Sequence, residues 1–146
     1  MTQEEHHDAD LVHVLQKDGV PLVDPFEQIN LPKTSLAEVK KRMGPPPWAV
    51  RVVYNPLFGG VLICQNPGEG NRLHYHPDAD ECWVIMEGEW EWYIEGQGKM
   101  RVKKDDIVVV PRGKKHKITA VGKEPSIRFA LTRPDVNHVY ADEEVS

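Results

Sequence analysis

From Trp48 to Thr132 the chain is a succession of short runs rich in Val, Ile, Trp and Tyr. They are broken at Asn55-Pro56, Gly59-Gly60, Asn66-Pro67-Gly68, Gly96-Gln97-Gly98, Arg112-Gly113 and Gly122. Runs this short, with turn signals this regular, leave no room for long helices or for parallel strands joined by crossover helices. They predict an antiparallel all-β sandwich or barrel. One hairpin can be registered from chemistry alone: a turn centred on Gln97 sets Glu95 against Lys99, Glu91 against Lys103, Trp92 against Val102 and Ile94 against Met100. Opposite charges then lie on one face and apolar pairs on the other, with Trp92 and Ile94 inward.

The flanks differ in character. Ser35 followed by Glu38, a short apolar period and Gly44 predicts one helix over 35–43. Pro45, Pro46 and Pro47 then bar both helix and ladder, so the strand-rich body begins at Trp48. The first 30 or so residues show neither a sustained helical period nor a clean alternation and are read as an arm or edge strand. The resulting division is 1–47 for arm and helix, 48–133 for the β-domain and 134–146 for a C-terminal tail. At 146 residues a single domain is expected.

Composition excludes several classes. A net charge of −5 gives no global field for nucleic acid. The eight basic residues between Lys99 and Lys117 face Asp78, Asp80, Glu87, Glu89, Glu91 and Glu95, so a paired, solvated face is expected there. No apolar run approaches the ~20 residues of a membrane-spanning helix. The acidic, His-bearing start is unlike a secretory signal, so a cytoplasmic location is expected. Cys64 and Cys82 are too few and too far apart for a disulfide framework or a Cys-rich zinc site and are read as free thiols.

His74 and His76 are separated by one residue in a strand-like run, which puts both imidazoles on one face. After the turn Pro77-Asp78-Ala79-Asp80, Glu81 opens the next strand, and an adjacent antiparallel strand could aim its carboxylate at the same point. Later, the turn Pro111-Arg112-Gly113 delivers His116 at the start of another strand. Each signal is ordinary by itself. Their order is Gly68, five residues, His74-Tyr75-His76, four residues, Glu81, six residues, Gly88, and then Pro111-Arg112-Gly113, two residues, His116.

This order resembles the two signature motifs of the cupin superfamily over about 60–133, departing from the second motif only at its ends, Asp105 and Ala120. The resemblance implies a double-stranded β-helix barrel with His74, His76, Glu81 and His116 converging on one divalent transition metal. With no thiolate and two open positions on a six-coordinate ion, Fe(II) is preferred, while manganese, nickel, cobalt and zinc stay open. If parity holds, Arg72 also points inward, where a buried cation would take an anionic substrate; a salt bridge to Asp78 or Asp80 is the alternative. Trp83 and Ile85 would wall the pocket, with Trp92 either packing the interior or stacking on a substrate. Arg51, Arg128, His6, His7, His13 and His138 are read as surface residues. The function expected is a metal-dependent enzyme acting on a small anionic substrate, first an Fe(II) dioxygenase in which Arg72 and Glu81 are catalytic. A faint likeness to the 3-hydroxyanthranilate dioxygenase branch rests on Arg72 and the acid-rich turn. The alternatives are a non-oxidative isomerase, lyase or decarboxylase using Tyr54, Tyr93 or His138 as acid or base, and a non-catalytic binder. A homodimer is expected, with Leu11, Val12, Val14 and Leu15 of the arm pairing across a two-fold axis.

Overall fold

The structure, a computed structural model, describes residues 4–24 and 29–141. The elements run β1 (Glu4–His7), α1 (Leu11–Lys17), β2 (Leu22–Val23), α2 (Leu36–Met43), β3 (Trp48–Tyr54), β4 (Gly59–Gln65), β5 (His74–Tyr75), β6 (Glu81–Glu87), β7 (Glu89–Ile94), β8 (Gly98–Lys103), β9 (Ile107–Val110), β10 (His116–Val121), β11 (Ser126–Thr132) and β12 (Asn137–Tyr140). They form two six-stranded sheets, ordered β1-β12-β5-β10-β7-β8 and β2-β3-β4-β11-β6-β9. Among the described residues every neighbouring strand pair is antiparallel except β2 with β3. The sheets pack face to face: Trp90, Trp92, Ile94 and Ile118 of one interdigitate with Trp83, Ile85, Val108 and Val110 of the other.

The second sheet is covered on both faces, which explains why β4 is buried along its whole length. Val39 of α2, with Leu36 and Met43, packs on the outer residues Trp48, Val50, Leu62, Cys64 and Ile127. Ser35 caps this helix, its hydroxyl accepting from Glu38 N–H at 3.5 Å. On the inner face, Leu11 and Leu15 of α1 meet Val20, Ala49, Val61 and Ile63. Burial of each such side chain is worth about 1.5–3 kcal/mol, enough to hold a helix of only two turns.

Two expectations are corrected, the arm's role and the hairpin register. The arm is not free to cross a two-fold axis: Leu11, Val14 and Leu15 are buried within their own subunit at i, i+3 and i+4 of a helix too short to show a sustained period. The flanking segments join the sheets: β1 and β12 pair in register, β12 also pairs with β5, and β2 joins β3. The remainder of the 1–47 and 134–146 segments, residues 1–3, 25–28 and 142–146, lies outside the described residues. The β7–β8 hairpin pairs Glu91 with Arg101, Trp92 with Met100 and Ile94 with Gly98, so its centre is Gly96 rather than Gln97. The reason is local: Ile94 C=O accepts from Gln97 N–H at 2.9 Å, and Gly96 and Gly98 both take positive φ, a three-residue loop. The slip is two residues, so the faces are preserved and Trp92 and Ile94 are buried. Lys99 and Arg101 pair with Glu91 and Glu89 across this hairpin.

Gly88 makes one of the two tightest backbone approaches, the other being Gly70 against Ile118 C=O. The φ of Gly88 is +75°, and a Cβ there would lie 2.0 Å from Ser126 Oγ, the hydroxyl that bonds Glu89 N–H and C=O.

Candidate metal centre

Antiparallel pairing of β5 with β10 sets His74 directly opposite His116. His76 follows β5, and its carbonyl accepts from Gly113 N–H at 2.7 Å, tying the Pro111–Gly113 turn to the site. Asp80 accepts from Arg112 N–H at 2.8 Å and fixes the same turn from the other side. Glu81 does not come from an adjacent strand as its spacing suggested. Residues 77–80 cross to the facing sheet, where Glu81 opens β6 beside Val110 of β9. The site is therefore made of three imidazoles from one sheet and a carboxylate from the other.

The donor atoms of His74, His76, Glu81 and His116 all lie within 4.8 Å of one another, and all four residues are buried. His76 Nε2 is 2.8 Å and His116 Nε2 is 3.7 Å from Glu81 Oε1. Donors bound at ~2.1 Å to one ion stand about 3–4.2 Å apart, so the spacing fits a first-row metal. Orientation fits as well. The Nδ1 atoms of His74, His76 and His116 face the carbonyls of Arg72, Asn137 and Lys114 at 2.7, 3.1 and 3.1 Å. Carbonyls only accept, so each ring carries its hydrogen on Nδ1 and turns a bare Nε2 inward. His116 Nε2 is buried with no hydrogen-bond partner, an orphan that a metal would satisfy.

Electrostatics agree. Burial, with His116 and His76 alongside, holds the His74 ring well below its ordinary range, so it is neutral as a ligand must be. Burial pushes the Glu81 carboxyl up, but positive charge on His76 or His116 pulls it down further, below the usual carboxylate range, and a cation shared by the cluster takes that part when the rings are neutral.

The family model described as Cupin domain matches residues 61–132. The chain carries a cupin domain. Over 78 residues it is 32% identical to the tetracenomycin polyketide synthase protein TcmJ of Streptomyces glaucescens, a stretch that covers 50% of this chain and 52% of that protein. The chain spans about half the length of the curated relatives it matches. Among solved structures it is similar to an uncharacterized conserved protein with a double-stranded β-helix domain from Klebsiella pneumoniae (TM-score 0.65, 21% identity, 77% of this chain and 100% of that one). It is also similar to an oxalate oxidase (TM-score 0.53, 25% identity, 57% of this chain and 46% of that one).

Beyond the four donors, the cupin domain departs from the sequence reading. Arg72 does not share the inward face of His74. β5 is only two residues long, so alternation does not extend back to it. Its guanidinium bonds Asp18 and Glu4 at 3.1 Å each, partners other than the Asp78 or Asp80 expected, and lies 3.7 Å from the Tyr140 ring centre. Trp83 does reach the site, its ring edge-on to His116 at 5.3 Å and on the wall of the adjoining cavity. Ile85 and Trp92 are buried in the core between the sheets and are not among the residues lining that cavity.

Three residues read as surface belong to the interior. His138 stacks on His74 at 5.5 Å and meets His76 edge-on at 4.6 Å. Burial and the neighbouring His76 push its ring down to about 3, so it is a neutral spacer that fixes the two ligand rings. The short run from Val136 to Tyr140, with β-branched and aromatic residues at Val136, Val139 and Tyr140, was a strand signal, and β12 is that strand. Of the candidate acid–base groups, Tyr54 hydrogen-bonds Asp135 instead. Arg128 is 2% exposed on β11 and Arg51 5% exposed on β3, neither of them solvated as expected. Among the described residues no helix is long and apolar enough to cross a membrane.

Proposed function

We propose that this chain is a metal-dependent oxidoreductase of the cupin type, in which His74, His76, Glu81 and His116 hold one divalent ion, Fe(II) in preference to manganese, nickel, cobalt or zinc. The substrate is a small anion. The observation that carries this is the trio of buried imidazoles whose Nδ1 atoms all face backbone carbonyls and whose Nε2 atoms converge with an ionised carboxylate. Four protein donors on a six-coordinate ion leave two positions for a chelating substrate or for dioxygen, and a divalent ion there supplies Lewis-acid polarisation and, as iron, one-electron chemistry.

The chain's own residues do the rest. Trp83 and the helix α1 residues Leu11, Val14 and Leu15 wall one side of the cavity beside the site. His138 holds the rings of His74 and His76 in place. The likeness to an oxalate oxidase supports the small anionic substrate. We retain a homodimer in this reading, moved from the arm to the edge strand β9, where Ile107 and Val109 are 66% and 59% exposed. Sedimentation showing a monomer at micromolar concentration removes it.

The test is anaerobic purification and iron loading followed by oxygen-electrode assays with short carboxylates. Oxygen uptake coupled to loss of the carboxylate supports the reading. Conversion at the same rate without oxygen replaces it with a non-oxidative isomerase, lyase or decarboxylase, and metal binding with no conversion of any kind replaces it with a binding protein.

A further inference from the structure

We propose that Arg128, rather than Arg72, is the anion-binding residue of this site, and that its ligand is a short-chain carboxylate. Arg128 lies on β11, opposite Ile63 of β4 and Ile85 of β6, with its side chain turned into the space between the sheets. Nη1 donates to Gln65 Oε1 at 2.7 Å, and the guanidinium carbon sits 4.6 Å from the centre of the Trp90 ring. Gln65 is neutral and is itself held by Gly70 C=O at 3.1 Å. Among the described residues no carboxylate lies within ion-pairing distance of Arg128, and its Nε is buried without a hydrogen-bond partner. Other paired arginines of this chain contrast with it: Arg72 has Asp18 and Glu4, and Arg42 has Asp24. Burial pushes the Arg128 guanidinium down only to about 10, so it is a full cation at neutral pH. A buried, charged fork with one neutral acceptor and one aromatic face is incomplete. A carboxylate completes it in the paired geometry guanidinium favours.

The size of the ligand follows from the cavity. Arg128 shares a space of about 50 Å³ with His74, Glu81 and His138, closed on one side by Leu11, Val14 and Leu15. That is a third of the ~150 Å³ that accepts benzene, and it suits a few heavy atoms. Asp18 also borders the space, but its carboxylate is engaged by the backbone and side chain of Arg72. A short carboxylate with one end on Arg128 can therefore present its other end to the four-donor cluster. This last step rests on the metal reading above; the Arg128 subsite does not.

Formate is the probe, titrated into the full chain with and without one equivalent of cobalt(II), and read by Trp fluorescence, since Trp90 packs on Arg128, and by calorimetry. Wild type should bind formate in both forms. Arg128→Gln should weaken binding tenfold or more while its cobalt content stays unchanged, and Arg72→Gln combined with Asp18→Asn, which frees no carboxylate into the space, should leave formate affinity within twofold. Should Arg128→Gln fail to fold, wild-type protein is still expected to shift its emission and gain thermal stability with formate but not with equal chloride. Formate binding dependent on Arg128 in protein that takes up no cobalt supports the subsite while defeating the metal reading. Formate binding that needs cobalt but is indifferent to Arg128, or no formate response from wild type, overturns the subsite.

Discussion

His76 Nε2 lies 2.8 Å from Glu81 Oε1 although the two residues belong to facing sheets, and the opposite ring atom, Nδ1, faces Asn137 C=O at 3.1 Å. With the ring hydrogen on Nδ1, two electron-rich atoms meet at hydrogen-bond distance, an arrangement that a shared cation stabilises and its removal does not. Glu81→Gln can keep the contact, because an amide N–H donates to Nε2, yet it loses the charge. The variant should fold with near wild-type stability and bind divalent metal more weakly by over ~10–100-fold, the loss typical of an outer partner alone. Competition with a metallochromic chelator measures this; an unchanged affinity would show that Glu81 does not ligate.

Arg72 should behave as a structural residue. It is the ion-pair partner of Asp18, whose side chain is only 6% exposed and whose carboxyl burial pushes up, and of Glu4. Arg72→Gln leaves Asp18 buried and unpaired, a loss of about 2–4 kcal/mol by denaturant titration. Asp18→Asn in the same chain should recover part of it, and a double-mutant cycle reports the coupling.

The Glu4 pair gives an acid limit. Lys17 foremost, then His6, with Arg72 beyond, hold the Glu4 carboxyl down at about 2 against its ordinary 4.5. A carboxyl with a depressed folded value stabilises the fold above its unfolded value and loses that contribution as the pH falls through the folded one. Glu4 is partly exposed, so solvent screening keeps the effect to about 1 kcal/mol or less. Protection factors against hydrogen exchange in β1 and β12, referred to the intrinsic rate at each pH, should fall between pH 4.5 and 2 in wild type and show no such step in Glu4→Gln.

Gly88→Ala should be among the most damaging small substitutions. Its added methyl would fall on Ser126 Oγ in a left-handed backbone position. A loss of about 3 kcal/mol or more is expected in thermal unfolding, and Ser126→Ala in the same chain should return only the steric part.

The two thiols should separate kinetically. Cys64 lies under α2, where burial first and Glu87 second push its thiol up to about 12, while Cys82 is half-buried. Maleimide should label Cys82 in the native protein and Cys64 only after unfolding.

What the sequence disclosed was what short-range periodicity can carry. His74 and His76 on one face, the cap at Ser35 and the inward set Trp92 and Ile94 all follow from spacing within one element, and each holds in the structure. What it hid depends on which strands meet. Glu81 faces its partners across two sheets rather than along one, and Arg128 is interior only because β11 lies between β4 and β6. Arg72 follows no strand parity because β5 is two residues long, and α1 buries three apolar side chains in too few turns to declare a period.

The central claim is the four-donor site, and elemental analysis of protein loaded anaerobically with iron(II) and desalted tests it most directly. Wild type should retain about one equivalent of metal and gain thermal stability from it, while folded His76→Ala and Glu81→Gln should retain little. Full metal content in both folded variants, or none in wild type, would contradict the account.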